Sequence, residues 1–496
     1  MSYQPAKPID VCFLVEGAYP YVAGGVSSWI HEMILSFPDL NFGIVALLPD
    51  RNYPHELRYD LPQNVVEFRN IYLQELKPGS PKIAQGKELY NFIKPLLNNL
   101  QKGESTNAIE KLVDVFTPLK DHLGSDFLLN SHEAWDTLTE MYSDWVPGSS
   151  FLDYFWSWRA LVGGLYSILI DDYPMASVYH TVATGYAGIL GARIHIETGR
   201  PLILTEHGIY TNERRIELTM ADWLHDHTGS GLGIGKTDHG LHQIWVNVFY
   251  AYAQACYTQS NEIITLFEGN RQVQIADGAP PQKSRLIPNG IDFNKFSSIP
   301  RDQQDHPIIA LIGRVVPIKD IKTYIRAVGN LVRQLPDLEA LIMGPFEEDK
   351  DYYEECMLLI DSLGLHNCIK FTGRVKLTDY LGKIDLIVLT SISEAQPLVI
   401  LESGAAGVPI VATDVGACRE MIYGRDNEQP NLGAGGAIIS LSNPLDAAHA
   451  IYKLLTDEHL MQTARIAIKE RVRLYYNKVD IDRQYRSLYD QYRLKS

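Results

Sequence analysis

Two glutamates at one spacing, Glu394 and Glu402, are the residues of this 496-residue chain best placed to do chemistry. They bound the stretch Ser393-Glu394-Ala395-Gln396-Pro397-Leu398-Val399-Ile400-Leu401-Glu402, which comes after an apolar run over 386–389. The run reads as a buried strand, and the spacing beyond it predicts a helix over 397–406. Pro397 suits the first helical position, where its missing N–H is lost anyway, and Gly407 with Pro409 beyond it stops the helix. Leu398, Leu401 and Ala405 are the expected buried stripe. Glu394 then lies in the loop before the helix and Glu402 on its second turn, about 7.5 Å along the axis from Pro397. The backbone amides of Leu398 and Val399 point into the gap, where free N–H groups and the helix dipole favour an anion. A diphosphate fits there, with a sugar near Glu394 and a ribose near Glu402, because carboxylates accept well from sugar hydroxyls.

The elements that must hold these residues come in two alternating series. The first opens with a strand over 11–15 and the glycines Gly24 and Gly25. A helix through Trp29 and Met33 comes next, which Ser27 or Ser28 can cap, and then a strand over 42–48. Residues 75–170 carry helical periodicity and few strand signals, and read as a helical insertion. The apolar stretch 151–170 contains Asp153 and Arg159, so a buried helix is favoured over a membrane span. The sheet pattern resumes with strands over 176–179, 202–205 and 263–266. The turn residues Pro288-Asn289-Gly290 mark a boundary. A second series has strands over 308–312, 340–343, 369–372, 386–389 and 410–413, spaced as βαβ units. The expected architecture is α/β: two doubly wound Rossmann-like domains facing a cleft, 1–287 and 288–475. A helix over 476–496 packs back on the first. Ligands of such sheets bind at the carboxyl ends of strands.

Composition excludes several classes. A net charge of −16 argues against a nucleic-acid surface. Five cysteines, an odd number with no C-x-x-C pair, disfavour disulfides and structural zinc and fit a cytoplasmic protein. The first ten residues lack the layout of a signal peptide. Asp480-Ile481-Asp482 falls in a helical stretch and reads as a solvated face rather than a metal site. Residues 229–237 mimic a phosphate-binding loop, but Ser230 stands where a glycine is needed.

Glu-x7-Glu in a second Rossmann-like domain resembles the retaining GT-B glycosyltransferases of family GT4. The segment Gly313-Arg314-Val315-Val316-Pro317-Ile318-Lys319-Asp320 is similar to that family's Arg/Lys segment, and the resemblance implies that Arg314 and Lys319 neutralise the donor diphosphate. It also implies that Gly24 and Gly25 form the glycine loop near the phosphates and acceptor. Glu394 and His207 then act at the donor sugar, while Glu402 holds the ribose, with no metal or other cofactor. The stretch from Val15 to Trp29 and the insertion resemble the PelF family of Pel exopolysaccharide synthesis. That resemblance implies transfer of a hexose from a UDP-sugar, UDP-glucose or UDP-N-acetylgalactosamine, to a growing polysaccharide beside an inner-membrane Pel synthase complex. Two other readings stay open: a non-catalytic nucleotide-sugar-binding subunit, and an epimerase or phosphorylase on the same fold.

Overall fold

The computed structural model describes residues 7–104, 107–220, 240–426 and 428–493. The segment 229–237, with its likeness to a phosphate-binding loop, lies outside them. The chain divides into two compact units. One comprises the chain up to Thr265, Asn270–Leu286 and the residues from Tyr485 on; the other comprises Leu266–Gly269 and Ile287–Gln484.

The first unit is built on strands β1 (Ile9–Glu16), β2 (Phe42–Leu48), β3 (Val65–Tyr72), β4 (Ala176–Thr181), β5 (Leu202–Glu206), β6 (Glu262–Thr265) and β7 (Ser284–Leu286). They lie in the order β3-β2-β1-β4-β5-β6-β7, and every pairing is parallel. Parallel strands are covered on both faces, which is why β2 is buried along its whole length. Between β3 and β4 stand the helices Gly86–Gln101, Ala108–Phe116, Ser125–Leu128, His132–Trp145 and Phe151–Ile170. Ile93, Leu112, Phe116, Leu138 and Trp158 of these helices share one apolar cluster with Leu14 and Val45 of the sheet. The helix Phe151–Ile170 buries Tyr154, Trp158, Leu161 and Leu165. Among the described residues no helix is long and apolar enough to cross a membrane.

The helix after β1 corrects one expectation. It spans Gly25–Ser36 with Gly24 as its extended cap residue, and no side chain caps it. Ser27 and Ser28 lie inside its first turn, where the Ser28 hydroxyl meets the Tyr59 hydroxyl at 3.0 Å instead of a backbone amide.

The helix Lys478–Arg493 supplies Tyr485 and Tyr489 to the first unit. The Tyr489 hydroxyl meets His180 Nδ1 at 2.8 Å, and Tyr485 meets the Thr205 hydroxyl at 3.3 Å. The carboxylates of Asp480 and Asp482 on that helix pair with Arg483 and Lys478 at 2.7 and 2.8 Å.

The second unit holds β8 (Ile308–Ile312), β9 (Glu339–Met343), β10 (Ile369–Gly373), β11 (Leu386–Leu389), β12 (Ile410–Thr413) and β13 (Gly436–Ile439), in the order β10-β9-β8-β11-β12-β13, all parallel. The direction of winding reverses between β8 and β11. Chain segments leaving the carboxyl ends of those two neighbours diverge and open a crevice there.

Candidate functional site

The two segments that leave this switch point are 313–320, after β8, and 390–397, after β11. They are tied to each other. Ile392 N–H donates to the Ile318 carbonyl at 2.8 Å. The buried Thr390 hydroxyl is shared between the carbonyls of Lys319 and Asp320, at 3.1 and 2.9 Å. Asp320 sits at φ 43°, and its carboxylate accepts from the Thr323 amide and from the Ser442 hydroxyl, at 3.3 and 3.0 Å. This bracing sets the Lys319 ammonium 2.5 Å from Glu394 Oε1. The two side chains are only 19% and 12% exposed, so the pair interacts more strongly than a surface pair would.

Glu394 is aimed from below by Gly416. At φ 52° this residue brings its Cα so close that a Cβ would lie 2.1 Å from the Glu394 carbonyl oxygen. Ala417 N–H donates to the Ala395 carbonyl at 2.8 Å, and the buried Gln396 accepts from the Asn289 amide at 2.6 Å. Burial raises the thiol of the adjacent Cys418 to about 12, with a further push from Glu394 opposed by Lys319, so it stays protonated.

The helix beyond this loop spans Leu398–Ala405, and Pro397 is the cap residue before it rather than its first residue. No side chain caps it, and its first-turn amides, Leu398 and Val399 among them, precede the intrahelical ladder. The expected stripe is rotated: Leu398 is exposed, while Ile400, Leu401, Gly404 and Ala405 are buried. The cause is Gly404, which packs so tightly on the helix Glu458–Tyr475 that a Cβ would come within 2.8 Å of Ile468. Glu402, half-buried, lies on the same helix two residues earlier.

Arg314 is exposed and paired with Glu348. An ion pair this exposed contributes about 0–1 kcal/mol, so an incoming anion can take the guanidinium over. Gly313 and Gly344 touch back to back, with the Gly313 carbonyl 1.9 Å from where a Gly344 Cβ would stand.

Gly24, Gly25 and His207 belong to the first unit. Apart from chain neighbours and the helix's own backbone, a Cβ on either glycine would meet no atom of the described residues within 4 Å. His207 comes directly after β5, buried edge-on against Trp29 at 4.8 Å, with Nε2 free of any partner among the described residues. Burial pushes it down to about 4, so it is a neutral imidazole. His180 is neutral too, pushed down to about 3 by burial and the nearby His207, and its ring bonds Thr205 and Tyr489 at 2.8 Å each.

Sequence reasoning missed Thr390, Gln396, Gly416 and Glu206. Glu206 is buried beside His207. It accepts from Tyr257, Gln274 and the Tyr210 amide at 2.9, 2.8 and 3.0 Å, and desolvation raises it to about 7. Only Gly416 carried a signal, as a glycine just beyond an apolar strand.

Two doubly wound parallel sheets in one chain, with an anion-ready helix start at the second switch point, define the GT-B architecture. Residues 9–282, just over half of the chain, match the family model described as "Domain of unknown function (DUF3492)", and the protein belongs to that family. Residues 292–473 match the model described as "Glycosyl transferases group 1". D-inositol 3-phosphate glycosyltransferase of Kribbella flavida is 26% identical over 223 residues, 41% of this chain and 48% of the relative. The enzyme of the same description from Corynebacterium jeikeium is 26% identical over 203 residues, 38% of this chain and 46% of the relative. The chain thus spans about half the length of the curated relatives it matches. Among solved structures, Anabaena HepE in complex with UDP superposes with a TM-score of 0.59 at 14% identity, over 97% of this chain and 99% of that one. Sucrose-phosphate synthase from Thermosynechococcus elongatus gives 0.58 at 16%, over 99% and 100%. At such identities the likeness is one of fold.

Proposed function

We propose that this protein is a retaining glycosyltransferase that moves a hexose from a UDP-sugar to a growing exopolysaccharide, as the PelF family does. The observation that carries the reading is the half-buried Lys319–Glu394 pair, four residues ahead of an uncapped helix that bears Glu402. Arg314, Lys319 and the amides of Leu398 and Val399 supply positive charge for a diphosphate, which makes a metal unnecessary for leaving-group departure. Lys319 is already drawn to a carboxylate, so a bound diphosphate would compete for it and free Glu394 to accept from sugar hydroxyls. Glu402, further along the helix, would take the ribose. The UDP of the Anabaena HepE complex, and the UDP-glucose of another complex of that protein, support a uridine nucleotide donor. Roles for Gly24, Gly25 and His207, the Pel polysaccharide as product and a membrane synthase as partner rest on the sequence resemblance. The test is incubation with a panel of labelled UDP-hexoses, with and without an oligosaccharide acceptor. Acceptor-dependent transfer with retained anomeric configuration supports the proposal. Epimerised donor, or binding without turnover in the presence of membranes that make the polymer, overturns it.

A further inference from the structure

The helical insertion carries an aromatic surface that neither its own core nor the Lys319–Glu394 site uses. Trp135, on the helix His132–Trp145, is 48% exposed; Leu152 and Trp156, one turn apart on the helix Phe151–Ile170, are 62% and 60% exposed. Half-buried rings join them. Trp135 lies 5.8 Å from Phe151 and 6.4 Å from Phe155, and Trp156 stands edge-on to Phe155 at 5.0 Å. Single exposed apolar side chains are ordinary, but a continuous cluster of this kind marks an interaction surface.

The charges around the patch select its occupant. Asp136 and Asp153 adjoin Trp135 and Leu152 along their helices, and Arg159 is the only Lys or Arg between residues 131 and 160. Arg159 is engaged, with its guanidinium on the Leu129 carbonyl and Asn130 at 3.0 and 3.1 Å and over the Phe155 ring. Glu140 faces the helix Gly86–Gln101, where it pairs with Lys94, so Asp136 and Asp153 set the negative sign beside the patch. An anionic bilayer would be repelled, since aromatic faces that lie on membranes carry Lys and Arg. A second copy would set acidic rim against acidic rim in a chain of net charge −16. The chemistry that fits is a protein segment with apolar side chains flanked by Lys or Arg.

We propose that Trp135, Leu152 and Trp156 form the docking surface for a basic amphipathic segment of a partner protein, with the two tryptophans as its anchors. This goes beyond the transfer reaction and does not depend on it. The test uses the full chain and a labelled synthetic helical peptide of Leu, Trp and Lys, monitored by fluorescence anisotropy at physiological salt. A matched peptide with Glu in place of Lys and phosphatidylcholine/phosphatidylglycerol vesicles serve as the other probes. The Lys peptide is expected to bind the wild type, and to bind the Leu152→Ser/Trp156→Ser variant about tenfold more weakly or worse. Asp136→Lys/Asp153→Lys, which leaves the apolar core untouched, should weaken it as well. The Glu peptide should not bind. The proposal is overturned if the wild type does not bind the Lys peptide, or if it and both variants bind equally. Variant-sensitive binding to the vesicles overturns it in favour of a membrane, and a wild-type dimer that the serine variant dissolves overturns it in favour of self-association.

Discussion

The Lys319 ammonium donates to Glu394 Oε1 at 2.5 Å across the switch point of the second sheet. A ligand that takes Lys319 from Glu394 therefore changes both groups at once.

Lys319→Ala should lower transfer by about a hundredfold, the usual scale for losing one preorganised charge stabiliser. Glu402→Ala should weaken UDP binding in calorimetry and leave the melting temperature close to that of the wild type. Unchanged UDP affinity in both variants would remove the site from consideration.

Thr390→Val keeps the shape of a buried side chain and deletes its hydroxyl. The carbonyls of Lys319 and Asp320 then lose a donor, at a cost of about 1–3 kcal/mol. Turnover should fall together with stability, and Thr390→Ser should restore both. A Val variant as active as the wild type would show that Lys319 needs no such bracing.

Two glycines of left-handed conformation separate crowding from backbone strain. Gly416→Ala forces a Cβ to 2.1 Å from the Glu394 carbonyl, whereas Gly364, at φ 67°, has open space around it. Gly364→Ala should cost only about 1 kcal/mol. Gly416→Ala should cost more in thermal melts and also impair donor binding. Equal effects from the two would mean that the fit beneath Glu394 has no consequence.

Stability should respond to pH with two opposing slopes. His180 and His207 are pushed down to about 3 and 4 by burial. The unfolded chain takes up protons on them below about 6.5 while the folded one does not. Their contribution is therefore full above that pH and is lost as pH falls toward 4. Glu206 is raised to about 7, so its contribution is full below about 4.5 and is lost as pH rises through 7. Glu206→Gln removes the second slope. Gln274, whose Oε1 has no partner among the described residues, can turn to receive the new amide. The melting temperature of the variant minus that of the wild type should grow between about pH 5 and 8; a flat difference refutes the assignment.

Much of this was legible in the residues themselves. Runs such as 308–312 and 386–389 are short, wholly apolar and regularly spaced, as buried parallel strands must be. The edge strands β3, β7 and β13 were not anticipated. They are only half-buried, so Glu67 and Arg69 in β3 and Arg285 in β7 break the apolar pattern. Glu394 stood out through its spacing to Glu402 around Pro397, and Arg314 and Lys319 through their likeness to the Arg/Lys segment of family GT4. Thr390 and Gln396 did not, because a threonine at a strand end and a glutamine in a loop are commonplace until the carbonyl or amide that each one meets is known. Leu398 misled because helix periodicity fixes the width of an apolar face, while its direction was set by Gly404 against Ile468.

The placement of Tyr485 and Tyr489 bears on how the protein is made. Thr205 and His180 sit in strands translated early, yet the hydroxyls that meet them arrive only after both sheets have left the ribosome. The half of the molecule that begins first is thus completed last. During translation His180 can keep its bond to Thr205 but waits for the Tyr489 partner of Nδ1, so a ribosome stalled in the second sheet would leave that half short of its last hydrogen bonds.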